Sequence, residues 1–217
     1  MKTVRILIAD DHDIVREGLR RLLQPQAGWT ICDEAATGRE AVEKAQRHQP
    51  HVVVMDFSMP ELNGLEATRQ ILKAMPQVEV LILTMHDSEQ LAREILTAGA
   101  RGFVLKTHAR SQLVPAVAAL ARHKPYFDSG VSAMLLHSFL NPESHSPGSG
   151  PLVRLTPRER EILQLIAEGR TSKEVAARLA VSVKTVEAHR SNIMNKLDLH
   201  SASQLVLYAV RNNIIQA

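Results

Sequence analysis

Five side chains in the first half of the sequence have the types needed to handle a phosphoryl group: Asp10, Asp11, Asp56, Thr84 and Lys106. Each stands at the C-terminal end of a short apolar run. Taken singly, any of them reads equally well as a turn cap; Asp56, followed at once by Phe57-Ser58-Met59-Pro60, is such a case. Taken together they do not. Three carboxylates gathered at one place repel one another unless a cation neutralises them, and oxygen ligands suit a hard divalent ion. Mg²⁺, which keeps waters and partners phosphate, is the natural candidate. An aspartate beside that ion, an ammonium and a hydroxyl is equipped to accept a phosphoryl group, the two cations stabilising charge on the transferring oxygens.

Such a gathering requires strands that end on one edge. Val4–Ala9, Thr30–Ala36, Val52–Asp56, Val78–Thr84 and Gly102–Lys106 read as strands, and Val52-Val53-Val54-Met55 is apolar enough to be buried on both faces. Between them lie helical spacings: Ile14, Val15, Leu19, Leu22 and Leu23 behind an Asp13 near the N-cap; Ala41, Val42 and Ala45 after Gly38; Leu65, Ala67, Ile71 and Leu72 after Asn63. Two more helices are expected around 88–98 and 111–122. Strands alternating with helices argue for an α/β fold, a doubly wound, five-stranded parallel sheet with helices on both faces. In that fold strand C-termini line the ligand crevice.

The chain of 217 residues allows two modest domains, here 1–128 and 152–217. Residues 1–128 carry 16 Lys/Arg against 16 Asp/Glu, and the net charge of +3 arises wholly in the remainder. That mild excess is compatible with phosphate-backbone contact by the C-terminal half only. No apolar run is long enough to span a membrane. Met1-Lys2-Thr3 leads into a strand rather than a signal peptide, so a cytoplasmic address without membrane partners is expected. The single Cys32 sits in the apolar run Trp29-Thr30-Ile31-Cys32 and reads as a small core residue.

Asp10-Asp11, Asp56 with Met59-Pro60 and Gly64, Thr84, and Phe103-x-x-Lys106 resemble the receiver domain of two-component response regulators, a flavodoxin-like fold. The resemblance implies that Asp56 is the phosphoacceptor for a sensor histidine kinase. It implies that Asp11, Asp56 and the Ser58 backbone carbonyl ligate Mg²⁺, with Asp10 acting through water. Thr84 would swing to the new phosphoryl group, Phe103 would turn inward behind it, and Lys106 would pair with its oxygens. Many receivers place a proline in a cis peptide after the lysine, whereas Thr107 follows here. A haloacid-dehalogenase-like phosphohydrolase also uses an aspartyl phosphate, but such enzymes carry a second acid two residues on, where this chain has Ser58.

Residues 129–151 read as a linker, with a short helix at 131–140 and a Pro/Ser/Gly tether over 141–151. Beyond it stand four helix starts. Thr156-Pro157-Arg158-Glu159 and Thr171-Ser172-Lys173-Glu174 are capping boxes, and Ser182 and Ser201 cap two more helices. Ala180-Val181-Ser182 is the short turn of a helix-turn-helix. Leu155 to Leu163, Glu168-Gly169, Lys173 to Ala176, Lys184-Thr185-Val186 with His189, and Lys196-Leu197 resemble the DNA-binding domain of NarL/FixJ (LuxR-type) regulators.

That resemblance implies an all-α, four-helix domain that binds double-stranded DNA. Base contacts would come from Glu187, Ala188 and Ser191, and phosphate contacts from Lys184, Arg190 and Lys196. Thr185 lies on the same helix, and His189 is structural or phosphate-contacting. Leu205, Val206, Leu207 and Ala209 would form the dimer element. Phosphorylation is then expected to release a receiver docked over 171–197, letting a homodimer engage paired half-sites and regulate transcription with RNA polymerase. The alternative is a phosphorylation-independent DNA-binding protein whose receiver is an interaction module.

Overall fold

Every residue of the strand Val52–Asp56 (β3) is buried, and alternate side chains serve opposite faces of the sheet. Val53 and Met55 join one apolar cluster; Val52 and Val54 join the other. The computed structural model describes residues 3–128, 130, 155–212 and 214–215. Around β3 lie the parallel strands Val4–Ala9 (β1), Trp29–Ala35 (β2), Glu79–Thr84 (β4), Gly102–Leu105 (β5) and Tyr126–Phe127 (β6), in the order β2-β1-β3-β4-β5-β6.

Helices Gly38–His48 (α2), Gly64–Ala74 (α3) and Glu89–Thr97 (α4) cover the face of Val53 and Met55. Helices Asp13–Leu23 (α1) and Ala109–Leu120 (α5) cover the other. Each fully buried Leu, Ile or Val contributes about 1.5–3 kcal/mol, so the two layers together hold the sheet. The doubly wound parallel architecture is the one expected, with three differences. The two-residue β6 extends the sheet beyond five strands; it follows Pro125 and is too short to leave a periodic signal. Ile14 points outward at 88% exposure instead of joining the core stripe of α1, whose buried residues are Leu19 and Leu23. Lys106 lies outside β5 and opens a 3₁₀ turn, Lys106–His108, before α5. Cys32 is half-buried, its thiol donating to the Ile6 carbonyl at 3.3 Å, and burial pushes its pKa up.

The second unit contains Pro157–Ala167 (α6), Ser172–Arg178 (α7), Val183–Lys196 (α8) and Ala202–Arg211 (α9). Both expected capping boxes form, at Thr156/Glu159 and Thr171/Glu174, and Ser182 and Ser201 cap α8 and α9. Leu155, Ile162, Leu163, Leu165, Val175, Val186, Ile193 and Leu205 form its core. The expected helix at 131–140 and tether over 141–151 lie outside the described residues. No helix among the described residues is long and apolar enough to cross a membrane.

The two units touch through α6 and Arg178 of α7 on one side, and on the other through the loop between β3 and α3, Glu66 of α3 and Arg39 of α2, which pairs with Glu161 at 2.5 Å. Gln164 donates to the Met59 carbonyl and accepts from the Asn63 N–H, both at 2.8 Å. Glu168 accepts from the Glu61 N–H at 2.9 Å, Arg160 pairs with Glu66 at 2.6 Å, and Arg178 pairs with Glu61. Docking over 171–197 was the expectation. In these ion pairs and hydrogen bonds only Arg178 represents that segment, while Lys184, Thr185, Glu187, Ala188 and Ser191 are exposed.

Backbone crowding around β3 yields a paired test. A Cβ on Gly64 would lie 2.0 Å from the Asp56 carbonyl oxygen, a backbone atom that cannot swing away, whereas one on exposed Gly18 in α1 meets nothing within 4 Å. Gly64→Ala should therefore lower stability by about 1–3 kcal/mol. Gly18→Ala should raise it by up to about 1 kcal/mol. Urea melts of both variants would show the opposite signs.

Candidate functional site

The strand register decides which polar residues meet. Asp56, last in β3, pairs with Leu83 of β4, and Thr84 extends one residue further along the same edge. β1 ends at Ala9, so Asp10 and Asp11 leave the sheet on that edge, and Lys106 leaves β5 there. Asp10 is fully buried and Asp56 is only 2% exposed. The Lys106 ammonium lies between them, 2.7 Å from Asp10 Oδ2 and 2.9 Å from Asp56 Oδ2. Charge pairs these atoms, yet neither carboxylate oxygen receives a well-directed hydrogen bond.

Ligand atoms of Asp10, Asp11, Asp56 and His12 lie within 4.8 Å of one another. Three carboxylates against one ammonium leave an excess of negative charge, with two buried oxygens lacking directed donors. Such a set fits a hard divalent cation. His12 is a member that the sequence reading overlooked. Its Nδ1 sits 2.7 Å from Asp11 Oδ1, and its N–H donates to Asp10 Oδ1 at 2.9 Å. Its position directly after the acidic pair was the available signal.

Burial pushes the Asp56 carboxyl up to about 6, with Asp10 adding to the shift, while Lys106 and the Ser58 N–H pull it back. Burial also works against the Lys106 charge, but Asp56 and Asp10 outweigh it and hold the ammonium above its ordinary value. The remaining expected members are in place around this cluster. Thr84 is buried, with its hydroxyl accepting from the His86 N–H at 3.1 Å. Phe103 is buried and packed in the apolar cluster on the Met55 face of the sheet. Among the described residues no peptide bond is cis, and Lys106–Thr107 is trans.

On the second unit, α8 buries Val186 and Ile193 and presents Lys184, Thr185, Glu187, Ala188 and Ser191 to solvent, with His189 and Arg190 half-buried. Thr185 also bonds Ser182 at the helix start, 2.8 Å between hydroxyls. Lys196 differs from the expected phosphate contact. Its ammonium bonds both Glu159 oxygens, at 2.7 and 2.8 Å, and together with the Thr156 donors holds that carboxyl below its usual range despite burial. The four dimer candidates divide. Leu205 and Ala209 are buried, Leu205 within this unit's own core, while Val206 and Leu207 face outward.

The raised Asp56 value has a pH signature. An ordinary aspartate releases its proton near 3.8, but in the folded chain Asp56 keeps it to about 6. The stability this proton provides is complete below the lower value and is lost as pH rises through the upper one. A cation needs the ionised carboxylate, so Mg²⁺ affinity should be about tenfold lower at pH 5 than at pH 7. Calorimetric titration across pH 5–8 checks this; a flat profile would mean that Asp56 is ionised throughout.

Comparison with known proteins bears on both units. Residues 6–118 match the response regulator receiver domain family, and residues 153–209 match the bacterial regulatory proteins of the luxR family. The oxygen regulatory protein NreC of Staphylococcus carnosus is 42% identical over 215 residues, covering 98% of this chain and 99% of that one. Among solved structures, the Salmonella typhimurium RcsB response regulator aligns at a TM-score of 0.60 and 28% identity, covering 96% and 98% of the two chains. RcsB in complex with DNA aligns at 0.59 and 28%, covering 95% and 98%. The chain belongs to the NarL/FixJ-type response regulators, a receiver domain followed by a LuxR-type DNA-binding domain.

Proposed function

We propose that a sensor histidine kinase transfers a phosphoryl group to Asp56, and that this controls dimerisation and sequence-specific DNA binding to regulate transcription. One observation carries the reading: a nearly fully buried carboxylate, raised in pKa, sits 2.9 Å from a lysine and within one cluster with two further aspartates. Asp11, Asp56 and the Ser58 carbonyl would hold Mg²⁺, with Asp10 behind them. Bound there, the ion supplies charge neutralisation to phosphoryl oxygens. Asp56 is the nucleophile, Lys106 turns from its two carboxylates toward the new oxygens, and Thr84 exchanges its His86 N–H for them. Modification adds charge and strong acceptors to a site where three carboxylates already share one lysine, which biases a two-state receiver.

The chain acts on double-stranded DNA in the cytoplasm, with RNA polymerase as a further partner at the promoter. Val206 and Leu207, exposed on α9, are the residues that support a homodimer contact there. Exposure of Lys184, Glu187, Ala188 and Ser191 favours a second reading, in which DNA is bound without phosphorylation. Both readings place the DNA contacts on α8; they differ in whether Asp56 matters.

Acetyl phosphate separates them. Wild type should gain dimerisation and DNA affinity by about tenfold or more, an ordinary coupling strength, and Asp56→Asn should gain neither. Sedimentation and fluorescence anisotropy read the two quantities, and no gain in either protein would leave the phosphorylation-independent reading standing. Within α8, Lys184→Ala should weaken binding evenly across sequences and reduce the salt slope by about 1. Lys196→Ala should instead leave the slope unchanged and lower the melting temperature, because its ammonium is bonded to Glu159.

A further inference from the structure

The loop from Phe57 to Asn63 leads from the phosphoacceptor strand into α3 and contains Ser58, whose carbonyl is read above as a metal ligand. Part of its shape is internal: the Leu62 N–H donates to the Pro60 carbonyl and the Gly64 N–H to the Phe57 carbonyl, each at 2.8 Å. Glu61, however, has φ 69, the left-handed region that a residue with a side chain seldom occupies. Such a conformation persists only where surrounding contacts enforce it.

The Leu62 N–H to Pro60 carbonyl bond closes the turn about Glu61 from within, and the DNA-binding domain adds contacts of its own. Glu168 takes the Glu61 N–H at 2.9 Å and Arg178 pairs with the Glu61 carboxylate. The Gln164 carboxamide spans the loop, donating to the Met59 carbonyl and accepting from the Asn63 N–H. It also donates to Glu168 at 2.8 Å, which aligns the second clamp. Gln164 is only 1% exposed, so its polar atoms have been removed from water for these bonds.

We propose that Gln164 is a positioning residue for the receiver's metal loop: by fixing Met59 and Asn63 from the other domain, it presets the backbone that presents Ser58. The docked chain therefore binds a divalent cation more tightly than a chain whose loop is free. A loop already ordered loses less freedom when an ion arrives. By reciprocity the ion strengthens docking by the same factor. The inference rests on the reading of Asp11, Asp56 and Ser58 as metal ligands.

The test uses the full-length chain, with MgCl₂ titrated calorimetrically at pH 8, where Asp56 is ionised. Gln164→Leu removes both loop bonds while keeping the volume, and the Mg²⁺ Kd should rise about fivefold, the scale of losing one or two neutral hydrogen bonds. Hydrogen exchange across 57–66 supplies a readout independent of the metal: the Asn63 amide should exchange faster in Gln164→Leu. Glu168→Ala, at the end of α6 and outside its core, gives a smaller rise in Kd and keeps the test open if Gln164→Leu unfolds its domain. An unchanged or lower Kd in the folded variants overturns the positioning role while leaving the function of Asp56 intact. Failure of wild type to bind Mg²⁺ at all would instead overturn the ligand reading beneath it.

Discussion

The receiver depends on one ammonium. Asp10 and Asp56 are both buried at the end of a sheet whose interior is otherwise apolar, and Lys106 stands within 3 Å of each. A buried ion pair adds little net stability, but removing one partner leaves an uncompensated charge and costs about 3–5 kcal/mol. Lys106 thus cannot move away from its two carboxylates unless another cation or a new acceptor replaces what each side loses. That requirement makes the cluster switchable: three carboxylates share one ammonium, and any event that adds a cation or an anion must redistribute the same lysine. The turn that begins at Lys106 continues to His108, which pairs with the buried Asp128 at the end of the receiver. A displacement of Lys106 therefore has a covalent and ionic path to Asp128.

The contact between domains narrows what such a switch could control. Lys184, Glu187, Ala188 and Ser191 of α8 are exposed, and the second domain is held elsewhere. Its α6, with Arg178 of α7, meets the loop that follows Asp56 and the side chains of Arg39 and Glu66. Glu66 and Glu161 are buried beneath their arginines, while the Arg178–Glu61 pair is partly open to water and adds little. The buried Gln164 bonds and the left-handed Glu61 give the contact its geometry. Docking and the Asp56 cluster consequently share a segment of backbone, rather than being joined through the breadth of the sheet.

Much of this was legible in the sequence, for reasons that differ by residue. The strands were readable because buried parallel strands are continuous apolar runs. Val52 to Met55 is one, and its end located Asp56. The capping boxes at Thr156 and Thr171 announced α6 and α7 because both partners of each cap lie within four residues. Asp10, Asp56 and Lys106 could be grouped because the fold sends strand ends to one edge. Ile14 misled because its spacing matches the core stripe, and the start of α1 beside the carboxylates leaves it outside the apolar layer. Leu205 and Ala209 misled for the opposite reason: apolar residues on a last helix fit a dimer face, but a domain this small needs them for its own core.

Gln164 was the least legible residue, and the reason is geometric. On α6 it lies across from Ile162 and Ile166, where a polar side chain in an isolated helix simply meets water. Only the receiver's loop, a hundred residues earlier in the chain, converts that solvent-facing position into a buried one. Local pattern records what a helix does within its own domain; it carries no mark of a partner that arrives from elsewhere. Glu61 differs: Pro60 before it and Asn63-Gly64 after it mark a turn, which the Leu62 N–H to Pro60 carbonyl bond closes locally and the other domain then grips. The loop beside Asp56 is therefore shaped jointly by the strand that precedes it and by the helix that binds it, and neither sequence segment specifies it alone.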